Sequence, residues 1–212
     1  MAVFTLTNLH VAMNSLNLSC FANQVDVAAE ADELDVTTFC GGGYRQKITG
    51  LASFTVAPTG DTVGNIAYFG NSRATTMNEL TGAVGEVAAF TLNTAGVSRL
   101  VRGVMLHPVL ARTATGTGTA VAFTTPLATQ GLYASFHVHS VTGTGTVVLN
   151  VQTDDNAGFT TGISRITSSS FTAPGHELKS VVGALVGETH IRASWTITGF
   201  TSVTFSIAAG VS

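Results

Sequence analysis

The chain has 212 residues and a formal net charge of −3, with 45% hydrophobic and only 10% charged residues. That length is enough for one large β domain or two small ones with a real core, and the faint acidity lacks the basic footprint of a nucleic-acid binder. Globular monomers usually carry about a quarter charged residues, so this sparse charge implies a surface largely covered by other copies of the chain.

The first residues, Met1 to Thr7, lack the basic start and continuous apolar run of a signal peptide. No stretch approaches the roughly 20 apolar residues that span a bilayer, so the expectation is a soluble chain made in the cytoplasm, with no membrane partner. Residues 2–7 alternate Val3, Thr5 and Thr7 with Phe4 and Leu6, the period of a half-buried strand. Residues 10–14 suit a partner strand, followed by a turn at Asn14-Ser-Leu-Asn. Cys20 and Cys40 could bridge, but a pair is too few for a disulfide scaffold, and two free thiols is the commoner arrangement.

Residues 28–47 are too long for a tight hairpin turn. Leu34, Val36, Phe39 and Tyr44 also argue against plain disorder. An acidic front half (Glu30, Asp32, Glu33, Asp35) precedes Gly41-Gly42-Gly43 and a basic back half (Arg45, Lys47). This layout suits an arm ordered against a neighbouring subunit, with complementary charge setting its register. A solvated loop over its own domain is the alternative.

A strand is expected at 48–56, ending at Pro58 and Gly60. At 61–69, Val63, Ile66 and Ala67 fall at helical spacing behind an N-capping Asp61, which predicts one short helix despite Gly64. Further strands are expected at 73–77, 86–94 and 98–106. The texture changes near Pro108. From there strands at 120–125, 132–141, 146–153, 165–167, 190–198 and 203–208 alternate with Thr/Gly turns, including Thr115-Gly-Thr-Gly, Thr142-Gly-Thr-Gly and Asp154-Asp-Asn-Ala-Gly. Such spacing predicts a sandwich or jelly roll. The expected class is therefore all-β, mainly strand with one short helix, divided into 1–105 and a second β-sandwich or jelly-roll-like module at 106–212.

Signals for chemistry are weak. His137 and His139 lie two apart on an expected strand and so share a face, as paired metal ligands would. A zinc site needs a further ligand, so two polar residues on the wet face of a sheet is the commoner explanation. Asp154, Asp155, Asn156 and Gly158 look oxygen-rich but lack the alternating acids and terminal Glu of an EF-hand, and a turn explains them. Gly41-Gly42-Gly43 precedes no phosphate-cradling Lys-Ser/Thr, and no nucleophile elbow or His-Glu-x-x-His occurs. Arg99 and Arg102 read as solvated strand-edge charges or as subunit-edge pairs. No enzyme, cofactor or metal is expected.

One resemblance rests on residues now quoted. Val25-Asp-Val-Ala, then 30–39 (Glu-Ala-Asp-Glu-Leu-Asp-Val-Thr-Thr-Phe), then 41–51 (Gly-Gly-Gly-Tyr-Arg-Gln-Lys-Ile-Thr-Gly-Leu) resembles the tail tube proteins of long-tailed, siphovirus-like bacteriophages. Residues 80–92 (Leu-Thr-Gly-Ala-Val-Gly-Glu-Val-Ala-Ala-Phe-Thr-Leu) are similar to the segment entering a strand after that family's helix. The likeness covers roughly residues 1–105. It implies a tail-tube-type β-sandwich flanked by a helix. It also implies homo-hexameric rings stacked into a tube through which DNA passes without specific binding. Partners would be the chain itself and the tape measure, terminator and distal tail proteins, and the location the virion tail.

By the same resemblance, the loop between rings would be formed by Glu33, Leu34, Asp35, Val36, Thr37, Thr38, Phe39, Tyr44, Arg45 and Gln46. Cys40 departs from the small residue commoner there, the stretch from the helix to Gly82 looks short, and the C-terminal half is an addition. Alternatives are a capsid decoration, head-surface or connector protein, and a carbohydrate-binding sandwich using Trp195, Tyr133 and Phe159.

Overall fold

The computed structural model describes residues 10–13, 15–17, 51–57, 62–81, 89–96, 98–124, 129–183, 185 and 187–212. The strands are β1 (His10–Met13), β2 (Leu16–Asn17), β3 (Leu51–Ala57), β4 (Ile66–Thr81), β5 (Ala89–Gly96) and β6 (Val101–Arg112). They continue with β7 (Gly116–Thr117), β8 (Val121–Ala122), β9 (Gly131–Asp154), β10 (Ile163–Thr167), β11 (Gly175–Val182) and β12 (His190–Val211). The protein is all-β, and the described residues contain no helix.

All belong to one 12-stranded antiparallel sheet of order β10-β9-β12-β6-β4-β3-β1-β2, with β11 also on β9, β5 on β4, and β7 and β8 on β12. The expected division at 105/106 falls inside β6, which pairs with β4 on one side and β12 on the other.

The framework is a ribbon of β9 and β12, paired from Leu132↔Val211 to Asp154↔His190. It bends where the register shifts between Thr198 and Ser202. The residues 142–145 (Thr-Gly-Thr-Gly), expected to be a turn between separate strands, are a corner within the single strand β9. The expected strands at 190–198 and 203–208 likewise form β12. Glycine makes this possible: Gly143 and Gly199 take φ of 90° and 82°, and a Cβ on Gly145 would lie 2.2 Å from the Thr198 carbonyl oxygen. The backbones can therefore close up and turn without leaving the ladder.

The bend folds the ribbon onto itself, giving a sandwich-like core. One arm contributes Leu132, Ala134, Phe136, Val138, Val203, Phe205, Ile207 and Ala209. The other contributes Val147, Leu149, Val151, Ile191, Ala193 and Trp195, and all belong to one buried cluster. Trp195 and Phe205 touch across the arms, with ring centroids 5.4 Å apart. On the opposite face a smaller core gathers Ala67, Phe69, Val101, Met105 and Ala208, with Tyr133 and Leu178 packed against it. β6 and β12 approach closely there, because Gly103 faces Gly210 and a Cβ on Gly103 would meet the Ala209 carbonyl oxygen at 2.1 Å.

The helix expected at 61–69 is a turn followed by the start of β4. Asn65 N donates to Thr62 O at 3.1 Å, and Gly64 has a φ of 88°. The backbone is then taken up by β6: Gly64 N donates to Met105 O and Met105 N to Asn65 O, both at 2.8 Å. Cross-strand bonds outcompete a helical spacing that a left-handed glycine interrupts. Pro108 lies in β6 where the ladder to β12 skips between Ile207↔His107 and Phe205↔Leu110. A residue with no N–H to give belongs at such an irregularity.

Candidate functional site

His137 and His139 do share one face of β9, their rings 6.1 Å apart and nearly parallel at 10°. That face is not wet. It is covered by β3, and His137 is only 1% exposed. His137 Nε2 lies 3.1 Å from Thr55 Oγ1 and 3.0 Å from Ser135 Oγ, while Thr55 donates to Ser135 at 3.1 Å. His139 Nδ1 lies 3.0 Å from the Ser15 carbonyl oxygen, so this nitrogen carries the donated proton, and its Nε2 meets Ser206 Oγ at 3.0 Å. His176, opposite His137 on β11, extends the row with a centroid separation of 6.4 Å. Its burial holds its pKa below the ordinary histidine value. These groups form a polar seam that fastens the β1–β2 turn and β3 onto β9 and β12. Among the described residues no group of three or more His, Cys, Asp or Glu is arranged to hold a metal.

A second cluster sits at the β6 irregularity. His107 stacks on Phe205 at 4.2 Å and meets Trp195 edge-on at 4.9 Å. Arg112 lies over the Trp195 ring at 5.1 Å, and the indole N–H donates to Ala114 O at 2.9 Å. This is a packed polar–aromatic joint between the ribbon arms and β6.

The third polar group is the 154–162 turn, as its composition predicted. Asp154 is buried and accepts from Thr161 N at 3.0 Å and Asn156 N at 3.3 Å. Asn156 Oδ1 accepts from Gly158 N at 2.9 Å, an Asx turn. Nearby, Arg165 pairs with the buried Glu188 and donates to Thr153 Oγ1 at 3.1 Å.

The expected inter-subunit residues Glu33, Leu34, Asp35, Val36, Thr37, Thr38, Phe39, Tyr44, Arg45 and Gln46 lie outside the described residues, as do Cys20 and Cys40. Arg99 is exposed and donates to Ser212 Oγ at 3.2 Å; Arg102 is exposed on β6 opposite Tyr68. They are brought to one end of the β4–β6 pair, not to any of the three clusters above. Trp195 and Phe159 are buried and Tyr133 is half-buried against the smaller core, so these three rings form no exposed platform. Sequence reasoning missed Thr55, Ser135, Ser206 and Arg112. Isolated hydroxyls and a lone arginine carry no periodic signal, and Thr55 meets His137 only through the fold.

The sequence matches no family model and no curated protein. By shape it is similar to chains in two solved structures, of infectious bursal disease virus strains Gx and Gt. Each is 10% identical, with TM-scores of 0.38 and 0.34. These alignments cover 99% and 96% of this chain, which spans about half (52%) of the length of each solved chain. Likeness at that level fixes neither family nor function.

Proposed function

We propose that this chain is a structural subunit of a virion, completed by copies of itself, and specifically a tail tube subunit forming stacked hexameric rings that conduct DNA. The observation that carries the structural part is where the described polar side chains go. His137, His139 and Asp154 each use their hydrogen bonds to hold strands and turns together, and His107 is packed between Phe205 and Trp195, as buried polar groups of a scaffold are. The tail-tube part rests on the residue pattern of 25–51 and on the low surface charge. Head-to-tail contacts around a ring close it, while stacking along the axis stays open and yields a tube.

Negative-stain microscopy of the purified chain at rising concentration tests the reading. Rings and tubes are expected, and deletion of residues 33–46 should leave a folded subunit that no longer stacks. A small closed oligomer would indicate a capsid decoration protein instead. A lone particle at every concentration would end the proposal.

A further inference from the structure

The last residues of β10 and those after it form a sheet edge with an unusual covering. In an antiparallel strand the N–H and C=O of one residue point the same way and alternate from residue to residue. Ser168 N donates to Leu149 O at 2.8 Å, toward β9. The flanking Thr167 C=O and Ser169 N–H therefore point away from β9, where a further strand would add. Both are taken by side chains from β11. Ser169 N donates to Glu177 Oε2 at 2.7 Å, and its hydroxyl to Oε1 at 3.0 Å. Lys179 Nζ donates to Thr167 O at 3.0 Å and lies 3.1 Å from Glu177.

The edge needs such a covering. From Thr160 to Phe171 the sequence holds a single charge, Arg165, among Thr, Ser, Ile, Phe and one Gly, and that guanidinium is drawn to Glu188. Ile163, at the start of the same strand, is 48% exposed. An uncharged, β-prone edge with an exposed apolar residue is a template for edge-to-edge pairing. Charges that would normally sit on the edge are supplied here by the neighbouring strand.

We propose that Glu177 and Lys179 are edge guards, whose occupation of the Ser169 N–H and Thr167 C=O keeps the β10 strand of a second copy of this chain from adding there. Burial pushes the Glu177 carboxyl pKa up, but the Ser169 N–H and Lys179 outweigh it and hold the value below the usual carboxylate range. The guard thus stays charged in mild acid.

The test compares wild type with E177A/K179A by hydrogen exchange at low concentration and by sedimentation over a concentration series. Removing charge-assisted bonds should speed Ser169 amide exchange about tenfold or more. It should also produce a concentration-dependent species absent from wild type. Adding S169K, which returns a charge to the edge itself, should abolish that species. A folded double variant that sediments as wild type does at every concentration overturns the proposal, as does a new species that survives S169K. If the double variant unfolds, K179M keeps the aliphatic stem and bares only the Thr167 carbonyl. It must still associate more than wild type, and the proposal fails if it does not.

Discussion

Arg112 donates its Nε–H to His107 Nε2 across 2.9 Å, so an imidazole beside a permanent cation serves as an acceptor. Its other nitrogen, Nδ1, lies 3.2 Å from Phe205 O and carries the proton. Burial first, and the Arg112 charge second, lower the pKa from 6.5 to about 4, against smaller upward pulls from the Phe205 and Pro108 backbones. The histidine is held neutral by what it joins.

Stability should therefore fall in acid in a defined window. The unfolded chain binds a proton at His107 near pH 6.5, whereas the folded one resists until about 4. The contribution is complete above 6.5 and is lost as pH drops toward 4, amounting to on the order of 3 kcal/mol. Urea unfolding at pH 7.5 and 4.5 checks it. The wild-type loss should exceed that of His107→Gln, and equal losses would contradict a neutral, buried His107.

Gly64→Ala distinguishes the turn from the helix by sign. In a helix the change would stabilise by about 1 kcal/mol. At a φ of 88° with open space around the site, it should instead cost about 1–2 kcal/mol. Thermal unfolding reads the direction directly.

Gly145→Ala should be far worse. The added Cβ would sit 2.2 Å from the Thr198 carbonyl oxygen, forcing the ribbon apart at its corner. A loss of about 3 kcal/mol or more is expected in denaturant titration. A neutral result would mean that the corner tolerates separation of β9 and β12.

Trp195→Phe keeps an aromatic in the core but removes the donor to Ala114 O and part of the surface beneath Arg112. The expected cost is about 1–3 kcal/mol, measured by circular dichroism because the sole tryptophan is lost.

Thr55→Val keeps the side-chain shape and removes the hydroxyl shared by Ser135 and His137. A cost of about 1–3 kcal/mol is expected. Hydrogen exchange should quicken in β3 while the β9–β12 pairing at Val147 to Val151 stays protected. Uniform quickening would show that the seam and the ribbon open together.

The class was legible because Leu132, Phe136 and Val138 alternate with polar neighbours, as does Trp195 with Ser194 and Thr196. The corner was not. Gly143 and Gly145 punctuate a turn and a bent strand alike, and only the partner glycine at 199, far along the chain, distinguishes them. The helix expectation failed because Val63, Ile66 and Ala67 fit one helical face by spacing, while the bonds that decide their conformation come from Met105. β11 went unread since Glu177 and Lys179 look like solvent-facing loop residues. Of the candidate sites, the shared face of His137 and His139 was readable from local period, but its cover by Thr55 depends on contacts that no local pattern encodes.

β12 follows every other described strand in sequence, yet it lies between β9 and β6. A ribosome therefore delivers the keystone after the stones it must separate. Until residues 190–211 emerge, the β6 and β9 segments lack the strand that separates them and could pair with each other or with another nascent chain. Contacts spanning so much sequence also form slowly. Yield in the cell should accordingly depend on holding those earlier strands apart during synthesis, a demand that chaperone supply and expression temperature would relieve.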